Sequence, residues 1–282
     1  MNKPFTNRLN AAIERAGSLV CVGLDPDLSK FPPQFAGMEP GEAIVAFNRA
    51  IIEATSDLVC AYKPNLGFYA AHGLPGLQAL VRTRELVSAG IPVILDCKVG
   101  DIGSTAAAYA RGYFDEWGFD AVTANPYLGG DSLEPFLAYG DKGVIVLCKT
   151  SNPGSGDMQD LQVVDGDARG TLFEALARRA HAWDAASPAA VGLVVGATWP
   201  AQLATVRGIA PGLPVLLPGV GAQAGDVDAA LQAGLDADRR GLIATSSRAI
   251  TYASRGEDFA EAARSAAMAL RTTIESARAR LA

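Results

Sequence analysis

Pro92-Val93-Ile94-Leu95-Asp96-Cys97-Lys98-Val99-Gly100-Asp101-Ile102 is the stretch on which the fold turns. It begins as a short apolar run rich in β-branched residues, opened by proline and too short for a helix, which reads as a buried strand over Pro92 to Cys97. Charged residues crowd the end of that run, and an Ala-rich segment with helical spacing, Ile102 to Trp117, follows. Strand, polar turn and helix in that order make one βα unit.

Working outward, the same alternation recurs along the chain. Further strand-like runs are Ser18 to Leu24, Leu58 to Tyr62, Ala121 to Ala124, Gly143 to Cys148, Ala190 to Val195, Pro214 to Leu217 and Gly241 to Thr245. Helical patterns lie between them at Gly41 to Thr55, Leu74 to Ser88, Ser132 to Tyr139, Thr171 to Ala186, Ala201 to Ile209 and Gly225 to Ala233, and a last one spans Asp258 to Leu281. Near-continuous Val/Ile/Leu runs mark strands buried on both faces, as in parallel sheets. Eight such units predict an α/β chain of (β/α)8 TIM-barrel class, with a doubly wound open sheet as the alternative. No Gly-x-Gly-x-x-Gly follows the first strand, which weakens the dinucleotide-binding form of that alternative. No linker or composition shift divides the 282 residues, so residues 1–282 are expected to form one domain. The longest stretch without a pattern, Lys149 to Asp167, reads as a single loop after the fifth strand, either a lid or a floppy excursion.

Hydrophobic residues make up 49% of the chain and charged ones 19%, enough for a sizeable core and too little charge for disorder. A net charge of -6 repels nucleic acid and anionic membrane surfaces, so an anionic ligand needs local positive groups. Met1-Asn2-Lys3-Pro4-Phe5-Thr6-Asn7-Arg8 leads into a polar helical pattern with no apolar stretch like a signal peptide, and the cytoplasm is the expected location. Cys21, Cys60, Cys97 and Cys148 form no Cys-x-x-Cys pair and lie in or beside apolar runs, which predicts buried, reduced thiols. His72 and His181 share no metal-ligand spacing with each other or with a cysteine, so no zinc site is expected.

In a barrel the reactive groups come from the C-terminal ends of the strands. The polar residues there are Asp25, Lys63, Asp96 with Lys98 and Asp101, Asn125, Lys149 with Ser151, Thr198, Gln223 and Arg248. On an extended chain Asp96 and Lys98 project to the same side, and each holds the other in its charged form. The plain alternative is a structural ion pair with Asp101 capping the next helix. Lys63 could be a snorkelling surface lysine before Pro64, and Asp25 a turn residue before Pro26. Their common place on one rim argues instead for a charged centre. A second set, Pro218-Gly219-Val220-Gly221-Ala222-Gln223 and Thr245-Ser246-Ser247-Arg248, falls in the last two βα loops, where barrels bind phosphate through backbone N–H groups, hydroxyls and a forked guanidinium.

The segment Asp96-Cys-Lys98-Val-Gly-Asp101-Ile102-Gly-Ser-Thr105 resembles the Asp-x-Lys-x-x-Asp-Ile-x-x-Thr signature of the orotidine 5'-phosphate decarboxylases. Gly23-Leu24-Asp25, Tyr62-Lys63-Pro64-Asn65, Thr150-Ser151-Asn152-Pro153-Gly154, the strand-seven loop and Arg248 extend the resemblance over nearly the whole chain, in the manner of the longer bacterial subgroup. The resemblance implies decarboxylation of orotidine 5'-phosphate to UMP without a cofactor. Asp25 and Lys63 would contact the ribose, Asp96 the substrate carboxylate, and Lys98 would protonate C6. Ser151 would hold the pyrimidine, and Gln223 with Arg248 the phosphate. Asp101 and Thr105 would reach into a neighbouring subunit's site, which implies a homodimer with shared sites. Many relatives carry Gly-Arg where this chain has Ser247-Arg248; the Ser247 backbone N–H could still face phosphate.

Two other readings fit the motif. Related hexulose-phosphate synthases share Asp-x-Lys-x-x-Asp but use Mg2+ on sugar phosphates through an enediolate. A catalytically silent phosphate-binding barrel is the second.

Overall fold

A computed structural model of the chain describes residues 3–220 and 227–281. Among these residues eight parallel strands form one sheet: β1 (Val20–Leu24), β2 (Ala61–Pro64), β3 (Ile94–Val99), β4 (Ala121–Ala124), β5 (Gly143–Lys149), and, after a hairpin of β6 (Gln162–Asp165) and β7 (Ala168–Thr171), β8 (Ala190–Val195), β9 (Val215–Pro218) and β10 (Leu242–Ser246). The order is β2-β1-β10-β9-β8-β5-β4-β3. The ends of that row meet through parallel bridges Tyr62 to Val93 and Asn65 to Asp96, and Tyr62 N–H donates to the Pro92 carbonyl at 3.0 Å. The sheet therefore closes into the expected (β/α)8 barrel rather than an open sheet.

Strands such as β1, β4 and β8 are buried along their length because both faces are covered, one by the barrel interior and one by the helices, while β3 opens toward the rim at Asp96, Cys97 and Lys98. The end opposite the polar rim is shut by the helix Pro4–Ala16, which starts on proline and stops at Gly17, whose φ of 52° only glycine adopts cheaply. Its Phe5 fills the start of β5, where a Cβ on Gly143 would lie 2.8 Å from the Phe5 ring. Burying that ring contributes about 2 kcal/mol. No helix among the described residues is long and apolar enough to cross a membrane.

At the other end, two 3-10 turns after β1 (Leu28–Lys30 and Pro33–Phe35) carry Phe31 and Phe35 onto Phe47 of the helix Pro40–Thr55. Phe47 stacks on Phe31 at 4.1 Å and on Phe259 of the final helix Phe259–Arg280 at 5.1 Å, with Tyr252 5.8 Å away. This aromatic cluster fixes the β1 loop against the chain that follows β10.

The pattern from Ile102 to Trp117 is two pieces, an α-helix Gly103–Arg111 and a π turn Gly112–Glu116. Lys63, expected just past a strand, lies within β2. The expected helix from Gly225 is described from Val227 onward, its first residues lying outside the described range.

The stretch 149–167 differs most from expectation. Lys149 closes β5, and a 3-10 turn Pro153–Ser155 and a helical turn Gly156–Gln159 lead into the antiparallel β6–β7 hairpin. Its two-residue turn is Gly166-Asp167, with Gly166 at φ 63°, the positive angle such hairpins need. The stretch read as a single loop is a folded insertion, which rules out the floppy reading.

Candidate active site

A cavity of about 610 Å3 opens at the C-terminal ends of the barrel strands. Asp25, Lys63, Asp96, Lys98, Ser151, Ser247 and Arg248 all line it. Asp101 and Thr105 do not, and Gln223 lies outside the described residues. Of the other rim candidates, Asn125 caps a turn by accepting from Tyr127 N–H at 3.1 Å, and Thr198 does not reach the cavity. Lys149 is buried in the wall behind it.

Asp96 is the hub. Its Oδ2 accepts from Lys63 Nζ at 2.9 Å and Asn65 Nδ2 at 3.2 Å, and its Oδ1 accepts from Lys98 Nζ at 2.7 Å and Thr123 Oγ1 at 3.0 Å. Burial alone would raise its pKa, but the Lys63 and Lys98 ammoniums outweigh burial and hold the carboxyl well below the usual range. Burial would likewise strip the proton from Lys63, yet the negative charges of Asp25 and Asp96 outweigh it and push its pKa above the ordinary lysine value. Both groups stay charged across the physiological range. Asp25 lines the cavity, and its Oδ1 is buried with no hydrogen-bond partner among the described residues.

Strand geometry at Lys98 departs from the extended reading. Leu95 pairs with Val122 and Val99 with Ala124, so Asp96, Cys97 and Lys98 on β3 face Thr123 alone on β4. Lys98 takes φ 49°, a left-handed conformation that costs a non-glycine residue roughly 1–2 kcal/mol. Thr123 holds the bulge. Its Oγ1 accepts from Lys98 N–H at 2.9 Å while donating to Asp96. The Asp96–Lys98 contact survives because the lysine stem is long, not because the chain is extended. Asp101 sits beyond the bulge, half-buried, its Oδ1 accepting from the next residue's N–H at 2.8 Å. It is not the side-chain N-cap of the following helix, a position held by Ile102.

At the far side, Pro218, Gly219, Ser246, Ser247 and Arg248 form the candidate anion end. Gly219 has φ 93°, and Arg248 is exposed at the start of a short helical turn. Ser247 is accommodated by Gly23 of β1, since a Cβ on Gly23 would lie 1.8 Å from Ser247 Oγ. Gly23 and Ser247 are therefore a matched pair, and the serine side chain occupies space a larger residue at 23 would need.

Between these ends Thr150, Ser151, Asn152 and Gln159 make a polar wall facing Leu147, Val194 and Leu216. Ser151 is backed directly onto Gly196, where an added Cβ would come within 2.8 Å of the Ser151 Cβ. Tyr252 closes the β1 side, its hydroxyl donating to the Asp25 carbonyl at 2.8 Å and accepting from Asp27 N–H at 2.6 Å. Sequence reading missed Thr123, Gln159 and Tyr252, and gave Asn65 a place in the Lys63-Pro64-Asn65 motif but no role. Thr123 did carry a signal, as a lone hydroxyl in the apolar run Ala121-Val-Thr-Ala124.

No cysteine forms a disulfide, and burial raises all four thiols, Cys21, Cys97 and Cys148 to about 12. They are protonated and inert, although Cys97 is partly exposed rather than buried.

Residues 18–265 match the model of the Orotidine 5'-phosphate decarboxylase / HUMPS family. The orotidine 5'-phosphate decarboxylase of Thermomicrobium roseum is 55% identical over 271 residues, covering 96% of this chain and 95% of that protein. The enzyme of the same name from Cellvibrio japonicus is 50% identical over 278 residues, covering 98% and 99%. The solved structure of Leishmania donovani OMP decarboxylase superposes with a TM-score of 0.82 at 43% identity, covering 98% of each chain. With residues 18–265 matching the family and half or more of its residues identical to the Thermomicrobium roseum and Cellvibrio japonicus enzymes along nearly their full length, the chain belongs to the orotidine 5'-phosphate decarboxylases, carboxy-lyases of pyrimidine nucleotide synthesis.

Proposed function

We propose that the cavity decarboxylates orotidine 5'-phosphate by electrostatic stabilisation of a carbanion at C6, with Lys98 as the acid. The C6–carboxylate bond breaks with its electron pair left on C6, CO2 departs, and the Lys98 Nζ proton passes to C6 to give UMP. The new lone pair lies in the ring plane, where the π system cannot spread it, so stabilisation must come from charge already in place. The observation that carries this reading is the Asp96 hub, which fixes two ammoniums at 2.7 and 2.9 Å from one carboxylate before any reaction occurs. Charges held by the fold need no reorganisation when the carbanion forms.

The remaining roles follow from position. Arg248 and the Ser247 backbone N–H hold the phosphate, together with Gln223. Asp25 and Lys63, both lining the cavity, take the ribose hydroxyls. Ser151 takes the pyrimidine, and Asp96 faces the departing carboxylate. Phosphate contacts remote from C6 supply binding energy that holds the carboxylate against Asp96. Asp101 and Thr105, absent from their own cavity, serve the site of a second protomer in a homodimer. The exposed apolar side chains of Ile102, Tyr109, Tyr127 and Leu128 around them support a covered face there.

The matched family also spans Mg2+-dependent sugar-phosphate chemistry. Asp96 already accepts four hydrogen bonds, about the full capacity of a carboxylate, which favours the decarboxylase reading over one in which it ligates a metal. Turnover of orotidine 5'-phosphate that survives exhaustive chelation supports this reading; metal-dependent sugar chemistry would replace it.

Subunit mixing tests the shared site. Lys98→Ala and Asp101→Ala chains, each inactive alone, should regain about a quarter of wild-type activity after exchange at equal amounts, because half the dimers are mixed and each holds one intact site. No recovery despite proven exchange would mean that Asp101 serves its own chain.

A further inference from the structure

Lys149 has no part in the chemistry above, yet it is fully buried at the end of β5. It does not touch the cavity; it sits inside the folded insertion. Its Nζ donates to both oxygens of Asp160, at 2.7 and 2.8 Å, and to Ser155 Oγ at 3.2 Å, which uses all three ammonium protons. The Trp199 ring covers the charge at 4.6 Å.

The same groups fix the cavity wall. Trp199 Nε1 donates to the Thr150 carbonyl at 2.9 Å. Gln159, next in sequence to Asp160, accepts from Thr150 N–H at 2.9 Å and donates to Thr150 Oγ1 at 2.8 Å. The chain from 149 to 160 is thus a ring closed at both ends, with Lys149 inside it and Thr150, Ser151, Asn152 and Gln159 on the cavity side.

An apolar side chain would fill the Lys149 position at less desolvation cost, since a buried ammonium must recover its lost hydration from well-placed partners. What the ion pair adds is direction, because it ties residue 149 to residue 160 at one geometry. We propose that Lys149 and Asp160 are a positioning pair that holds the Thr150–Gln159 wall ready for the pyrimidine ring. This rests on the reading of that wall as the base-binding side of the site. Without the pair the wall is correctly placed only part of the time, and apparent affinity falls by that fraction.

Titration calorimetry of the full chain with UMP and with ribose 5-phosphate, which lacks the base, tests the pair. Lys149→Met should weaken UMP binding about tenfold, the effect of a wall in place a tenth of the time, and leave ribose 5-phosphate within twofold of wild type. Asp160→Asn, at a side chain 45% exposed and still able to accept one hydrogen bond, should give the same base-selective loss and decides the matter if the first variant does not fold. Unchanged UMP affinity in a folded variant would overturn the proposal, as would equal weakening of both ligands. A wild-type chain that binds neither ligand would refute the site reading itself, and the pair's role with it.

Discussion

Replacing Thr123 by valine removes one hydroxyl and almost no volume, and tests the bulge that positions Lys98. Two hydrogen bonds disappear. The Lys98 backbone N–H loses its acceptor at 2.9 Å, and an unsatisfied donor of this kind costs about 1–3 kcal/mol. Asp96 loses a donor at 3.0 Å but keeps Lys63, Asn65 and Lys98, so this second loss is about 1 kcal/mol. The two losses sum to about 2–4 kcal/mol and relaxation of Lys98 returns roughly 1–2, so stability should fall by up to about 3 kcal/mol, read as a lower urea midpoint at unchanged slope. The rate should fall for a separate reason. With its N–H released, Lys98 can leave φ 49° and recover roughly 1–2 kcal/mol, which shifts its population about 5- to 30-fold away from the working position. That loss belongs in kcat, measured as initial rates over a range of orotidine 5'-phosphate concentrations, because the phosphate and base contacts are untouched. A Thr123→Val enzyme with wild-type kcat, or with the whole defect in KM, would refute the account of the bulge.

Lys98→Ala should abolish turnover and leave the fold intact, since the side chain is half exposed and Asp96 retains Lys63; near-normal turnover would remove Lys98 from the mechanism. Arg248→Ala should raise KM about 10- to 100-fold with a small change in kcat, the loss expected for one charged hydrogen-bonding partner present in ground and transition states alike. Because Arg248 is exposed, its melting temperature should not move, and a defect confined to kcat would contradict phosphate binding. The pH dependence of stability has two limbs. Asp96 has a lowered folded pKa, so its contribution is complete above the unfolded value of about 3.9 and is lost as pH falls through the lower folded one. Lys63 has a raised folded pKa, so its contribution is complete below about 10.4 and is lost as pH rises through the higher folded value. The stability gap between wild type and Asp96→Asn should therefore narrow in acid, and a gap that widens as pH falls would reverse the assignment.

The strands were legible because a parallel barrel buries both of their faces, which leaves unbroken runs such as Val191 to Val195 that no surface element would carry. The charged residues that end those runs gave most of the cavity for the same reason, since a charge survives at such a place only if it faces an opening or a partner. Lys149 shows the limit of that rule. At the end of β5 it has the sequence context of a rim residue, but its partner Asp160 comes from the insertion and draws it into the wall. The β6–β7 hairpin was hidden because its side chains are only exposed or half-buried, too weak a contrast to stand out, although Gly166-Asp167 carried the turn. Asp101 was readable as charged and near the centre, yet nothing in one chain's periodicity could say that it turns away from its own cavity.

The bulge at Lys98 was not legible at all, and its position explains why. Local preference favours glycine at φ 49°, which would relieve the strain and leave the site without its ammonium. A lysine on a regular strand would be unstrained and would still share a face with Asp96, so the bulge sets where the ammonium sits rather than whether the two can meet. The chain resolves the conflict with neighbours. Thr123 satisfies the displaced N–H, Asn125 N–H donates to the Val99 carbonyl at 2.7 Å to restart the ladder, and Asp96 gives the ammonium a fixed seat. Strain at one residue is thus held by three neighbours, whose hydrogen bonds and charge outweigh it and keep the Lys98 ammonium in place. A variant that relaxes residue 98 while preserving its charge and, unlike Thr123→Val, leaving no polar group unpaired should therefore be more stable and slower together.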